Sequence, residues 1–149
     1  MAPFITLSGL FLVFAGLSAA GVHALAGWYT WLRLALAGMF LLTASAHWGK
    51  RRPDLVRMVP RAFPRPEVLV TVTGVLELLG AIGLLVRPLA PLAAAGLSLL
   101  LLAMFPANVH AARAGLTIGG RPVPALVPRT LLQLLFLAAT VAVAVAGRR

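Results

Sequence analysis

The sequence contains no cysteine and only three acidic residues, Asp54, Glu67 and Glu77. Without cysteine, the chain cannot form a disulfide, a thiolate metal site or an iron–sulfur cluster. Any electron that it handles must therefore be carried by a bound cofactor or by a partner. No two acids lie near each other, no phosphate-binding glycine loop is present, and no Ser-His-Asp order stands out. Hydrolase and nucleotide chemistry therefore have no support in the sequence.

Charged residues are also scarce, at 11%, whereas 61% of the 149 residues are hydrophobic. An ordinary soluble domain is about 45–50% apolar and about 25% charged. A chain of this length cannot hide so much apolar surface in a core of its own. The composition therefore predicts an all-α protein, a polytopic transmembrane helical bundle.

Five apolar segments come close to the length of about 20 residues that a membrane helix needs. Trp28, Tyr29 and Trp31 precede or begin the second segment and predict an interfacial aromatic belt. The five predicted spans are residues 4–26, 31–48, 67–86, 89–109 and 127–146.

The first segment has a second interpretation as a signal peptide, because Ala24-Leu25-Ala26 fits a cleavage signature. No Lys or Arg precedes its apolar run, however, and the run is long for a signal peptide. We favour a retained helix. The predicted organisation is an N-terminal transmembrane helix at 1–30 and a four-helix membrane domain at 31–149.

Basic residues are concentrated in the two loops at 49–66 and 110–129, which five spans place on the same side of the membrane. The other side holds Arg33, Arg87, Arg148 and Arg149. The positive-inside rule predicts a multi-pass plasma-membrane protein with a cytoplasmic N-terminus, cytoplasmic basic loops and an external C-terminus. The nine basic residues of the loops are Lys50, Arg51, Arg52, Arg57, Arg61, Arg65, Arg113, Arg121 and Arg129.

The loop at 49–66 interleaves charges with apolar side chains and contains four prolines. This pattern predicts a short interfacial segment that lies on the lipid headgroups, its prolines preventing one long helix. The formal charge of +10 is explained by such contacts with the bilayer, and no motif favours nucleic acid. The residues predicted to contact headgroups are Lys50, Arg51, Arg52, Arg57, Arg61 and Arg65.

Glu77 lies ten residues into the third predicted span, at a depth of roughly 15 Å near the membrane midplane. A charged residue there costs roughly 2.5–3.5 kcal/mol on insertion scales, so Glu77 should face the bundle interior. Gly74, Gly80 and Gly83 on the same helix allow a close neighbour. Two interpretations remain open: a structural carboxyl that binds another helix, or a group that handles a proton or a ligand.

Other polar residues should gather near the cytoplasmic ends of the spans. His47 ends the second span, Asn108 and His110 end the fourth, and Thr73 lies in the cytoplasmic half of the third. Such a cluster, with Glu77 deeper, suits the polar head of an otherwise apolar ligand. The two histidines could ligate a b-type haem, but interfacial or capping histidines are far more common, and we predict no metal. Gln133 and Thr140 are expected to form interhelical hydrogen bonds.

The chain resembles the DoxX-like family of small membrane proteins over residues 31–146. The resemblance is carried by His47-Trp48, by "MVPRAFPRPEVLVTVTGVLELLGAIGLLV" at 58–86 and by "MFPANVHAA" at 104–112. It implies a four-helix core, to which 4–26 adds a helix, and it implies His47, Glu77 and Asn108 as recurrent polar positions. DoxX is associated with a thiosulfate:quinone oxidoreductase, and relatives are linked to membrane redox complexes or to assembly as chaperones.

Two functions follow as expectations. The first is an accessory subunit of a membrane redox system, which binds a quinone or a similar lipophilic molecule and contacts a membrane or peripheral redox partner. Glu77 would accept a hydrogen bond or proton, while His47 and Asn108 would position a carbonyl oxygen. The second is a non-catalytic chaperone or assembly protein that stabilises a partner in the bilayer. The candidate ligand-binding residues are His47, Thr73, Glu77, Asn108 and His110.

Overall fold

The computed structural model describes residues 2–147. Arg148 and Arg149, which entered the charge count, lie outside the described residues. Residues 2–147 form six α-helices, a short 3-10 turn at His23–Leu25 and one very small β-hairpin, so the predicted all-α fold is confirmed. In chain order the elements are α1 (Ala2–Ala19), α2 (Trp28–Ser45), α3 (Arg52–Met58), α4 (Pro66–Leu85), α5 (Ala90–Arg113), β1 (Thr117–Ile118), β2 (Arg121–Pro122) and α6 (Leu126–Ala146).

In the part of the chain that the structure describes, four helices, α1, α4, α5 and α6, are long and apolar enough to cross a membrane. Their large apolar side chains point outwards: Leu92 is 74% exposed and Leu12 is 69% exposed. Apolar surface on this scale identifies a membrane protein, because water would not tolerate it.

The second predicted span, now α2, does not reach the same hydropathy. It begins with the polar-tipped Trp28, Tyr29 and Trp31, and it contains Arg33. Its 18 residues nevertheless extend about 27 Å, close to the thickness of the hydrocarbon core. The helix packs between α1 and α4, and Arg33 is buried among its neighbours.

The buried face of α4 positions the polar centre of the bundle. Its buried residues repeat at alternating intervals of four and three, the pattern of a helix packed on near-parallel or antiparallel neighbours. This face contacts α2 on one side and α5 on the other, and α5 in turn packs on α6. The buried residues of α4 are Val70, Gly74, Glu77, Ala81 and Leu84.

The first helix ends earlier than predicted. Helix α1 stops at Ala19, whereas the apolar run continues to residue 26. Gly21 has a φ of +98°, the Val22 N–H donates to the Leu17 carbonyl, and the Gly21 N–H donates to that of Ser18. This is a Schellman motif, in which glycine ends a helix even within an apolar sequence.

The two basic loops lie at the same end of the bundle. Helix α3 occupies the first loop and begins near a proline, and β1 and β2 occupy the second. Gly119 and Gly120 both have positive φ, of 60° and 75°, as a two-residue hairpin turn requires. The Gly119 N–H donates to Asp54 Oδ2 at 2.7 Å, which ties the hairpin to α3. The structure therefore brings the two loops into contact at one end of the bundle, while their side of the membrane stays a prediction.

Candidate functional site

His47 and Glu77 form a buried polar layer between α2 and α4. His47 lies in the turn that follows α2, and its Nδ1 is 3.9 Å from Glu77 Oε2. The contact depends on Gly74, because a Cβ at that position would lie 2.6 Å from the His47 Cβ. His47 therefore lies level with the middle of α4. From the sequence, His47 was predicted nearer the cytoplasmic surface, above Glu77.

Glu77 faces the bundle interior, as its sequence position predicted. The residue is 4% exposed, and its Oε2 has no hydrogen-bond partner among residues 2–147. A buried carboxyl oxygen without a partner costs free energy, typically about 1–3 kcal/mol. The structure thus leaves an unused acceptor beside His47.

The imidazole of His47 is oriented by its own helix. Its Nδ1 lies 3.1 Å from the carbonyl oxygen of Thr43, one turn earlier. A carbonyl only accepts, so Nδ1 carries the proton in this contact. In the neutral ring, Nε2 is then the nitrogen with the free lone pair.

A cavity of about 290 Å³ opens beside this layer, between α3, α4 and α5. Its walls are mostly apolar, and Phe63, Ala103 and Pro106 on its rim are exposed. Three of the predicted ligand-binding residues, His47, Thr73 and Asn108, line it. Each comes from a different segment: the turn after α2, the body of α4 and the C-terminal part of α5.

The Asn108 amide is held by two residues of α6. Its Oδ1 accepts hydrogen bonds from Arg129 Nη2 at 2.7 Å and from Arg129 Nε at 3.2 Å. Its Nδ2 donates to Gln133 Oε1 at 3.1 Å, and Gln133 Nε2 donates to the Leu101 carbonyl at 2.6 Å. Because the guanidinium can only donate, the amide orientation is fixed. This network positions Asn108 at the wall of the cavity.

The other candidate ligand-binding residues, Thr73, Glu77 and His110, differ in their position relative to the cavity. The Thr73 hydroxyl donates to the Leu69 carbonyl at 2.9 Å, which leaves its oxygen lone pairs free. Glu77 lies behind His47 and does not line the cavity. His110 lies in the last turn of α5, half-buried and outside the cavity wall. The structure therefore unites His47, Thr73 and Asn108, keeps Glu77 adjacent and leaves His110 apart.

The expected hydrogen bonds of Gln133 and Thr140 are present. Gln133 joins α6 to α5 as described, and the hydroxyls of Thr140 and Ser98 lie 2.8 Å apart between the same two helices. Both Thr140 and Ser98 are buried. These contacts join α5 to α6, and Gln133 does so next to the Asn108 wall of the cavity.

Among the residues predicted to contact lipid headgroups, Arg52 joins separate segments of the chain, whereas Arg57 pairs with Asp54 inside α3. Its Nη1 donates to the His47 carbonyl at 2.8 Å, and its Nη2 donates to Thr71 Oγ1 at 2.8 Å and to the Glu67 carbonyl at 3.1 Å. It thereby fastens α3 to the first turns of α4. The other five side chains, those of Lys50, Arg51, Arg57, Arg61 and Arg65, are exposed.

Arg33 has a structural role that was not predicted from the sequence, where it counted only as a flanking charge. Arg33 is buried in α2, and its Nη1 donates to the carbonyls of Leu84 at 2.6 Å and Leu85 at 2.9 Å. The last carbonyls of a helix lack partners and carry partial negative charge. Arg33 therefore caps the C-terminus of α4. The available signal was its position inside the apolar segment 31–48, where it is the third residue.

A second depression lies on the opposite part of the α4–α5 contact. It measures about 310 Å³ and is lined almost entirely by apolar residues, including Leu76, Leu79, Gly83, Leu92 and Gly96. Close packing at Gly80 and Gly83 against Leu97 and Ala93 brings the two helices together beneath it. We refer to this depression as the outer groove.

Metal ligands do not gather anywhere in residues 2–147: no three His, Cys, Asp or Glu side chains are close enough to hold an ion. The side chains available to a ligand are instead hydrogen-bonding groups. The cavity thus suits an organic molecule that is mostly apolar and carries a small polar head.

The fold and this cavity define a small polytopic α-helical membrane protein. Residues 36–146 match the family model described as a domain of unknown function (DUF8561), and the chain belongs to that family. The match begins inside α2, so α1 lies before it. No curated protein matches the chain, and no solved structure matches it. The resemblance to the DoxX-like family stays a prediction.

Proposed function

We propose that this protein binds a lipophilic molecule with a polar head within the membrane, as an accessory subunit of a membrane redox system. The observation that carries the proposal is the cavity between α3, α4 and α5, which combines apolar walls with His47, Thr73 and Asn108. A substituted quinone is the ligand class that suits it. Kinship with the DoxX-like family, proposed from the sequence, points to the same class.

The size and position of the cavity support this function. Its volume of about 290 Å³ is close to the lower limit of small-molecule sites, roughly 300–1,000 Å³. One substituted six-membered ring can be accommodated in such a space. An alkyl tail would leave past the exposed rim residues Phe63 and Ala103. Glu77, with its free Oε2 next to His47, would serve the head group indirectly through the imidazole.

The test is to identify small molecules that co-purify with the full-length protein, by mass spectrometry after gentle detergent extraction. We expect a lipophilic molecule with a cyclic polar head at a substantial fraction of one per chain. Ala107→Leu should abolish its recovery, because Ala107 lines the cavity. Ala19→Leu, at the exposed end of α1, is the matched control and should retain the molecule. Equal recovery from both variants would contradict the proposal.

We further propose that the loop end of the bundle, with α3 and the hairpin, faces the cytoplasm in the plasma membrane. The exposed basic residues at this end, such as Lys50 and Arg121, support it through the positive-inside rule. Cysteines substituted at these two positions should react with a membrane-impermeant thiol reagent in inverted vesicles only. Labelling in intact cells would reverse the orientation.

The outer groove favours a second function, stabilisation of a partner transmembrane helix. A Cβ at Gly96 would meet no atom within 4 Å, so the groove has room at its centre. Small residues that expose a helix surface promote close helix–helix contact in membranes. Gly96→Leu should then release a stoichiometric membrane partner during purification and leave recovery of any cavity ligand unchanged. An empty cavity together with such a partner would favour this function over the first.

A further inference from the structure

We infer that the cavity binds its ligand through a hydroxyl group that the ligand donates, so that it prefers a quinol or phenol head to a quinone. The inference rests on the proposed binding function and specifies the chemistry of the head group. The three polar residues that line the cavity each have hydrogen-bonding atoms without a partner, and the inference follows from the identity of these atoms.

His47 presents an acceptor. Its Nδ1 is directed at the Thr43 carbonyl, 3.1 Å away, and Nε2 has no partner among the described residues. In the neutral imidazole with its proton on Nδ1, Nε2 can only accept. A quinone has only carbonyl acceptors and gains nothing from this atom, whereas a hydroxyl can donate to it.

Thr73 presents a second acceptor. Its single hydroxyl proton lies towards its own helix, where Oγ1 is 2.9 Å from the Leu69 carbonyl and 3.1 Å from that of Val70. The oxygen lone pairs are left for a ligand, and the side chain lines the cavity. A hydroxyl group on the ligand can donate here too.

Asn108 presents the one donor. Both acceptor positions of its Oδ1 are taken by Arg129, and one Nδ2 hydrogen is taken by Gln133. One N–H remains, because the amide nitrogen carries two hydrogens. The free atoms of the wall are therefore two acceptors and one donor. A hydroxyl, which donates once and accepts as well, satisfies this set better than a carbonyl does.

The experiment compares three probes with the same ring and decyl tail: a 1,4-benzoquinol, its quinone and its dimethyl ether. Their affinities for the full-length protein in detergent are measured without oxygen, by quenching of tryptophan fluorescence. We expect the quinol to bind about tenfold more tightly than the other two, since each added hydrogen bond contributes severalfold. The ether controls for ring size, because it has the same oxygens without their hydrogens.

Two threonine variants supply the matched control. Thr73→Val removes the cavity acceptor and should weaken quinol binding about fivefold while leaving quinone binding unchanged. Thr130→Val removes a hydroxyl with the same bond to its own helix, at 2.8 Å from the Leu126 carbonyl, away from the cavity wall. It should change neither affinity.

The outcomes separate this inference from the function on which it rests. Quinone binding as tight as quinol binding, or tighter, would overturn the inference and leave the binding function standing. It would mean that His47 donates from Nε2. Failure of all three probes to bind would overturn the proposed ligand class itself. A quinol preference that is undiminished by Thr73→Val would also overturn the arrangement of acceptors described above.

Discussion

His47 Nδ1 and Glu77 Oε2 lie 3.9 Å apart, in a layer of the bundle where both side chains are buried. The distance is longer than a hydrogen bond, and Nδ1 is directed instead at the Thr43 carbonyl. The carboxyl is therefore close enough to act on the imidazole, yet it is not tied to it. The effect of Glu77 on the stability of the bundle can therefore be tested separately from its effect on His47 at the cavity.

Replacing Glu77 by leucine should leave the bundle at least as stable as the wild type. The substitution removes a buried oxygen without a partner, whose cost is about 1–3 kcal/mol, and keeps a similar volume. Thermal unfolding in detergent measures the effect. Glu77→Gln keeps the shape and a polar atom at the same place, so it should unfold near the wild-type temperature. A leucine variant that unfolds well below the glutamine variant would mean that Glu77 binds another helix.

A methyl group at Gly74 should displace His47. In Gly74→Ala the new Cβ would lie 2.6 Å from the His47 Cβ and 2.7 Å from its Cγ, atoms that cannot swing aside without moving the turn after α2. We expect a loss of stability of about 1–3 kcal/mol, typical of overpacking, together with loss of the cavity ligand. Gly96→Ala, where the added methyl meets nothing within 4 Å, is the control. Equal behaviour of the two variants in unfolding and ligand recovery would contradict this account.

Removing the guanidinium of Arg33 should destabilise the protein. Arg33→Met leaves the carbonyls of Leu84 and Leu85 without their donor, and Leu84 is fully buried. The expected cost is about 1–3 kcal/mol, measured as a lower unfolding temperature in detergent. Arg87→Met, at an exposed position just after α4, should have no comparable effect. If both substitutions were harmless, the capping role would be wrong.

Arg52 should differ from its exposed neighbours in the same loop. Arg52→Gln breaks bonds to the His47 carbonyl, the Glu67 carbonyl and Thr71, so α3 should detach from α4 and the cavity should open. Limited proteolysis of the loop should become faster, and ligand recovery should fall. Arg61→Gln, which changes an exposed side chain, should leave both unchanged. If both variants were cleaved at the same rate, Arg52 would not fasten α3 to α4, and the prediction that it contacts lipid headgroups would stand.

The bond between Asp54 and Gly119 should weaken in acid. The Gly119 N–H and the Arg57 guanidinium hold the pKa of the Asp54 carboxyl below its ordinary value of 3.8. Because the folded pKa is the lower one, the stabilising contribution is complete above the ordinary value and is lost as the pH falls through the folded pKa. Protection of the Gly119 amide from hydrogen exchange, corrected for intrinsic rate, should fall in that range. Asp54→Asn should remove the pH dependence.

The sequence predicts the parts of this structure that depend on hydrophobicity along one helix. An acid among Leu and Val must face the bundle, and Glu77 does so. The helix pattern was also predictable because the apolar runs have the length of membrane spans. The end of α1 could not be predicted in this way, because it depends on the positive φ of Gly21 and the apolar run continues past it.

The parts that could not be predicted depend on contacts between distant residues. Arg33 lies inside an apolar segment and Arg87 lies between two of them, but nothing local shows that Arg33 caps α4. The depth of His47 in the bundle is set by its contact with Gly74 of α4. Counting residues from the membrane surface had predicted a shallower position. The sequence did not distinguish Arg52 from its basic neighbours, because its partners come within reach only when α3 packs along α4.

The cap that Arg33 provides also bears on how the chain enters the membrane. The carbonyls that accept its hydrogen bonds lie 51 and 52 residues later in the chain, so they are still being synthesised when α2 reaches the translocation machinery. An arginine in hydrocarbon without them costs roughly 2.5–3.5 kcal/mol on insertion scales. Helix α2 is therefore expected to wait beside the translocon until α4 arrives. The two helices would then partition into lipid as a pair, out of strict sequential order.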